Sequence, residues 1–168
     1  MFATVFGYPR PVVAAINGHA IAGGCVLACA CDRRLMARDA GKIGVTELLV
    51  GVPFPAVAME IMRCAAAPQH FEELIFGGAT YVPEQGADRG LVHEVVDAEA
   101  LLGHAVAAAR KLAALSPAAF ALSKRQTRQP ALARMQKEGV DAEVTRIWTA
   151  PETLERIRDY VARTLKKA

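Results

Sequence analysis

Two short stretches hold the residue types that could do chemistry. The first, "INGHAIAGGCVLACACD" (16–32), combines Gly18, Gly23 and Gly24 with three cysteines. The second, "KIGVTELLVG" (42–51), sets Glu47 among Ile43, Val45, Leu48, Leu49 and Val50. Three chemistries compete for the first stretch: a metal site, a phosphate cradle, or an oxyanion site. A structural zinc site takes cysteines in two separated pairs two to four residues apart. Cys25 and Cys29 are one helical turn apart, Cys31 points elsewhere, and Cys64 is distant, so all four read as small apolar core residues.

The glycines carry more. Gly23 and Gly24 stand where a helix should begin, and first-turn N–H groups have no partner inside their own helix. The helix dipole adds partial positive charge there, which suits an anion or an oxyanion that develops during a reaction. The spacing fits neither the nucleotide P-loop nor GxGxxG. Close helix–strand packing would also require glycines here, and the glycines alone leave both readings open. For Glu47, apolar neighbours predict a desolvated carboxylate with a raised pKa, useful as a general base. A partly exposed glutamate favoured by the start of a short helix fits the same residues.

Around these residues the predicted elements form a β/α core. "PVVAAIN" (11–17) is a short apolar run, predicted as a strand buried on both faces as in a parallel sheet. A helix over Gly23–Cys31 and a strand over "RRLMAR" (33–38) complete a crossover unit. A shorter strand is predicted at Lys42–Val45 and a last one at "LVHEVV" (91–96). Helices are predicted over 53–66, with Val57, Ile61 and Cys64 on the apolar side, and over 68–78, ended by Gly77-Gly78. "PEQGADRG" reads as a connection. After Asp97 the pattern is helical throughout: 98–115, a Ser-Pro-initiated helix, 132–148 and 151–166. The division is a core over 1–97 and a helical C-terminal region over 98–168.

Composition bounds the function classes. Hydrophobic residues make up 53% of the 168 and charged ones 22%, enough for a buried core. Twenty basic against 17 acidic side chains give +3, with few aromatics, so nothing favours a nucleic-acid partner. No apolar run reaches membrane-spanning length, and "MFATVFGYPRP" lacks the basic start and apolar core expected of a signal peptide. A cytoplasmic protein with reduced thiols is the expectation.

Residues 10–51 resemble the central signature of the crotonase superfamily, the enoyl-CoA hydratase/isomerase family. "RPVVAAINGHAIAGGCVLACACDRRLMA" is similar to the family's "KPVIAAVNGxAxGGGxxLAxxCDxxxA", and "IGVTELLVGV" to its "FGxPExxLGx". The match continues through 58–96 and ends in "TAPETLERIRDYVAR". The resemblance implies an α/β fold with a truncated crotonase-like β/α spiral core, followed by C-terminal helices that build a homotrimer or hexamer. It implies an acyl-CoA thioester substrate, coenzyme A being part of that substrate, and no further cofactor or metal.

By the same resemblance Gly23 supplies an oxyanion N–H, Glu47 is the acid/base, and Ala20, Ile21, Ala22, Gly24 and Val26 lie at the substrate. The family's hydratases carry a second glutamate at the position of Val26. With Glu47 alone, isomerisation of a 3-enoyl-CoA to the 2-enoyl-CoA fits best. The alternatives are an enoyl-CoA hydratase with a substitute water-positioning group and a non-catalytic acyl-CoA-binding subunit. Asp32 is expected to cap the helix-to-strand corner. The four histidines are expected to be hydrogen-bonded or exposed. Lys124-Arg125 would meet CoA phosphates or form a solvated basic face. The resemblance covers the C-terminal two-thirds of the family pattern. The family's upstream βα half, with the second oxyanion N–H, is not matched. The isolated chain is therefore expected to show an open sheet edge, to be sticky, and to fall short of complete catalysis.

Overall fold

A computed structural model describes residues 1–39, 41–136 and 140–165. Among them, two small sheets surround a helix built from small residues. Strand β1 (Val13–Ile16) pairs in parallel with β3 (Arg33–Ala37), and β6 (Glu94–Val96) pairs in parallel with the other edge of β3. Between β1 and β3 in sequence come β2 (Ala20–Ile21) and helix α2 (Gly23–Ala30). β2 belongs to the second sheet, parallel to β4 (Ile43–Gly44), which is antiparallel to β5 (Thr80–Tyr81).

β1 departs from expectation. Ile16 is buried, but Val13 and Ala14 are half-buried and Ala15 is exposed. Both edges of β3 are paired, whereas β1 is paired only to β3 among the described residues, so burial on both faces falls to β3 instead. The two-residue strands β2 and β5 escaped the sequence reading because two residues carry no alternation. "PEQGADRG" holds a helix, α5 (Pro83–Asp88), with proline at its start, where a fixed φ favours the first turn.

α2 is central. Cys25, Val26, Ala28, Cys29 and Ala30 are all buried, and their small volumes let α1 (Phe2–Gly7), α3 (Ala56–Ala65) and β2 approach closely. Cys31 is buried too, its thiol donating to the carbonyl of Leu27 at 3.5 Å. Cys64 is exposed, against the expectation that all four cysteines are core. The buried stripe of α3 runs through Ala58, Ile61 and Met62. Cys64 stands in the last turn of α3, past the end of that stripe. Residues 68–78 divide into a 3-10 turn (Pro68–His70) and α4 (Phe71–Gly77).

Beyond β6, the described residues are helical apart from short links: a 3-10 turn (Ala98–Ala100), then α6 (Leu101–Ala113), α7 (Pro117–Met135), α8 (Val140–Trp148) and α9 (Pro151–Leu165). Ser116 caps α7, its hydroxyl accepting the N–H of Ala119 at 3.4 Å. The helix expected over 132–148 is in fact the end of α7 and the whole of α8, with 137–139 outside the described residues. No single described helix is long and apolar enough to cross a membrane.

Asp32 fastens α7 to the core. Its carboxylate accepts the N–H of Val12 at 2.7 Å, in line with its expected place at the corner between α2 and β3. It also pairs with Lys124 at 2.8 Å and Arg128 at 2.9 Å. Lys124 is therefore buried in an ion pair, neither a free CoA ligand nor part of a solvated face, while Arg125 is exposed. A lysine stem long enough to span α7 to the corner buries its charge only because Asp32 meets it there.

The histidines are hydrogen-bonded. His19 accepts the N–H of Lys42, His70 contacts Glu73, and His104 contacts Glu94. His93 accepts the N–H of Arg34 at Nδ1, 3.1 Å away. Burial, with Arg34 and Arg33 nearby, pushes its pKa down to about 4, so the imidazole is neutral at pH 7. Arg34 is buried, its guanidinium donating to the carbonyls of Cys29, Cys31, Gly90 and Leu91.

Candidate active site

The turn from β2 into α2 and the 3-10 turn Glu47–Val50 face one cavity. β2 ends at Ile21, and Ala22 then takes φ 53 and ψ −125, which redirects the chain so that Gly23 opens α2. The N–H of Ala22 donates to the carbonyl of Gly44 at 2.9 Å, tying this turn to β4. No side chain caps α2, so its first-turn N–H groups are left for whatever stands at the helix start.

Glu47 begins the second turn. Gly51, in the left-handed region at φ 74, ends it, and the Val52 N–H closes back on the Glu47 carbonyl at 3.0 Å. This tight loop fixes the backbone of Glu47 against the core while its carboxyl meets the cavity. Oε2 of Glu47 is buried and has no hydrogen-bond partner among the described residues. Desolvation raises its pKa above the ordinary carboxylate value, opposed by hydrogen bonds from the backbone of Glu47 and Thr46. Both sequence readings of Glu47 hold at once: it stands at the head of a short helix, and it is desolvated.

The cavity measures about 430 Å³. Ala22, Gly23 and Val26 form one wall and Thr46, Glu47, Val50 and Val52 another. Phe2, Pro55 and Ala58 add apolar surface, and Trp148, Ile157 and Tyr160 bring in the C-terminal helices α8 and α9. Of the residues singled out from the sequence, Gly23, Glu47, Ala22 and Val26 are thus brought together. Ala20 is buried in the β2–β4 ladder, its N–H bonded to the Lys42 carbonyl, and it does not line the cavity. Ile21 and Gly24 are likewise outside the lining. The contributions of Trp148, Ile157 and Tyr160 were missed. Their only signal is the apolar side of the α8 and α9 patterns, which does not say what that side covers.

Chemically, the cavity offers one carboxylate whose proton affinity is raised by burial, next to a helix start whose N–H groups favour negative charge. Such a pair can remove a proton next to a carbonyl and hold the resulting enolate.

An α/β core of this topology, with a glycine-started helix facing a desolvated glutamate, has counterparts among known proteins. The sequence pattern of the enoyl-CoA hydratase/isomerase family matches residues 1–159, and the chain belongs to that family, the crotonase superfamily. An enoyl-CoA hydratase from Mycobacterium ulcerans Agy99 is 32% identical, with a TM-score of 0.76 over 80% of this chain and 59% of that one. A 2,3-dehydroadipyl-CoA hydratase of Escherichia coli K12 is 27% identical over 129 residues, 77% of this chain and 50% of the relative. The human mitochondrial delta3-delta2-enoyl-CoA isomerase shares the fold at a TM-score of 0.90, with 24% identity, over 99% of this chain and 66% of that one. The chain spans about half the length of the curated relatives it matches.

Proposed function

We propose that the site isomerises a 3-enoyl-CoA to the conjugated 2-enoyl-CoA. The observation that carries this reading is the lining itself: Glu47 is its only carboxylate among the described residues, and Val26 stands where a hydratase of the family would hold a second. The ionised Glu47 takes a proton from C2. The C–H electron pair moves into the thioester carbonyl, whose oxygen becomes an oxyanion facing the N–H of Gly23. When the enolate collapses, the double bond shifts from C3–C4 to C2–C3, and C4 takes the proton back from the Glu47 carboxyl. One group serves both steps, and its raised proton affinity suits the second as much as the first. Hydration would need a second group to position water, and the valine cannot act so. In this reading coenzyme A belongs to the substrate, no separate cofactor takes part, and assembly through the C-terminal helices gives a trimer or hexamer.

The test is turnover of a 3-enoyl-CoA, read by the absorbance of the conjugated product. Glu47→Gln is expected to lower kcat at least about 10²-fold while leaving the fold intact. Because Glu47 must be ionised to begin, kcat/KM should fall on the acid side through a limb above pH 4.5, the ordinary value from which burial lifts it. Unchanged turnover in Glu47→Gln would overturn the assignment. Several relatives are named hydratases, which motivates a second arm. Release of a 3-hydroxyacyl-CoA from 2-enoyl-CoA would establish hydration instead. Acyl-CoA binding with no exchange of α-protons into deuterated water would make the chain a binding subunit.

A further inference from the structure

We infer that Cys25 and Cys29 form a binding site for a soft, monovalent, closed-shell metal ion of the copper(I) type. Neither thiol takes part in the reaction read for Glu47 and Gly23, so the two assignments stand apart.

Cys25 and Cys29 lie one helical turn apart on α2, both buried, and their thiols share a hydrogen bond. Residues four apart on a helix bring their Cβ atoms to about 5–6 Å. A linear two-coordinate ion needs its sulfurs about 4.6 Å apart, twice a metal–thiolate bond of about 2.3 Å. Side chains leaning together from that Cβ spacing meet the requirement, and the ion takes the place of the shared proton. Coordination number decides the class of ion. Among the described residues, no three His, Cys, Asp or Glu side chains come together to hold a metal. Zinc, which takes four ligands in a closed site, is excluded on that ground, whereas thiolates suit copper(I).

Charge points the same way. Arg34 is buried, and its guanidinium meets only the carbonyls of Cys29, Cys31, Gly90 and Leu91 and Nε2 of His93. No carboxylate pairs with it among the described residues, so neutral groups face a whole buried charge. When a monovalent ion binds, two S–H bonds break, two protons leave for solvent, and two sulfur–metal bonds form. The two thiolates and the ion together carry one negative charge. Arg34, whose charge acts on both thiols, cancels it. A divalent ion would make the same centre neutral and leave Arg34 as uncompensated as before.

Cys29 also lines a second cavity of about 300 Å³, with Cys31 and Cys64 in its walls. Cys64 is exposed, so a soft ion meets sulfur from the surface inward. Cys31 and Cys64 are stations on this route and not ligands of the final site.

The experiment titrates the whole reduced chain with copper(I), without oxygen, against a chromophoric copper(I) chelator. One equivalent is expected to bind. Cys25→Ala and Cys29→Ala should each weaken binding at least about 100-fold, the upper end of what losing a merely supporting residue costs. Circular dichroism checks the fold of each, and the serine variants, closer in volume, serve where alanine opens the core. The double variant Cys31→Ala/Cys64→Ala should keep the equilibrium affinity, and an excess of zinc(II) should not displace the ion. Failure of the wild-type chain to take up one equivalent would overturn the site, as would unchanged affinity in a folded Cys25 or Cys29 variant. Loss of binding in the double variant would move the site to the outer cavity, and displacement by zinc(II) would require more ligands than this pair supplies; either result overturns the assignment.

Discussion

Ala22 holds a backbone conformation that an L side chain rarely adopts, at the residue before the helix start that faces Glu47. Such strain costs on the order of 1–3 kcal/mol and survives only where neighbours enforce it. Here the enforcing contacts are the Ala22 N–H to Gly44 on one side and the first turn of α2 on the other. Ala22→Gly would remove the side-chain clash at that φ, partly offset by the greater freedom of glycine in the unfolded chain. A net stabilisation of about 1 kcal/mol is expected, measured by urea unfolding; a loss of stability would show that Ala22 is not strained. At this scale the sequence was informative where neighbours in the chain decide the environment. Glu47 is desolvated, as its apolar neighbours suggested, but through Val50, Val52 and the α2 wall, whereas Leu48 and Leu49 beside it are exposed. Lys124 was illegible for the opposite reason: its partner Asp32 lies 92 positions away, and nothing local distinguishes a buried lysine from a solvated one.

Elements were legible in proportion to their length. α2, β3, α3 and α4 are long enough to read, whereas β2 and β5 hold two residues each and are defined by their partners; β4 is as short but lies within the strand predicted over Lys42–Val45. The β4–β5 crossing shows what such short strands depend on. A Cβ placed on Gly44 would stand 2.3 Å from the Ala79 carbonyl oxygen and 3.0 Å from the Thr80 Cα, both backbone atoms that cannot rotate away. Gly44 also accepts the N–H of Ala22, so displacing β4 would shift the helix start that faces the cavity. Gly44→Ala is therefore expected to cost at least about 2 kcal/mol, because overpacking against backbone has no side-chain escape. It should also weaken acyl-CoA binding, seen by calorimetry on the folded fraction. Wild-type stability and affinity in that variant would mean that β4 and β5 can separate without disturbing the site. The cavity's third wall, from α8 and α9, was beyond sequence reasoning because an amphipathic pattern identifies an apolar side without naming its partner.

At the scale of the whole molecule, α7 is joined to the core by a small group of ion pairs beside the apolar contacts of Ala131 and Leu132. Asp32 pairs with Lys124 and Arg128 of α7. Lys124 also donates to the Arg10 carbonyl, and Arg128 reaches the carbonyls of Ala30 at the end of α2 and Phe6 in α1. Further along α7, Arg134 pairs with the buried Glu60 of α3 at 2.6 Å. Burial pushes the Lys124 ammonium toward its neutral form, and hydrogen bonding to Asp32 pulls it back, so the pair is stable only while the carboxylate is present. Asp32→Asn preserves the acceptor for Val12 but leaves buried Lys124 and half-buried Arg128 without a countercharge. Removing one partner of such a cluster typically costs about 3–5 kcal/mol. The loss should be localised: hydrogen exchange is expected to quicken first in α7 and α1, which Arg128 ties together, while the β1–β3–β6 sheet keeps its protection. Adding Lys124→Met to Asp32→Asn should recover part of the lost stability, since it removes one stranded charge and leaves an apolar side chain of similar length. Uniform loss of protection in both sheets and helices would mean that α7 and the core unfold together, and that Asp32 stabilises the corner of β3 rather than the docking of the C-terminal region.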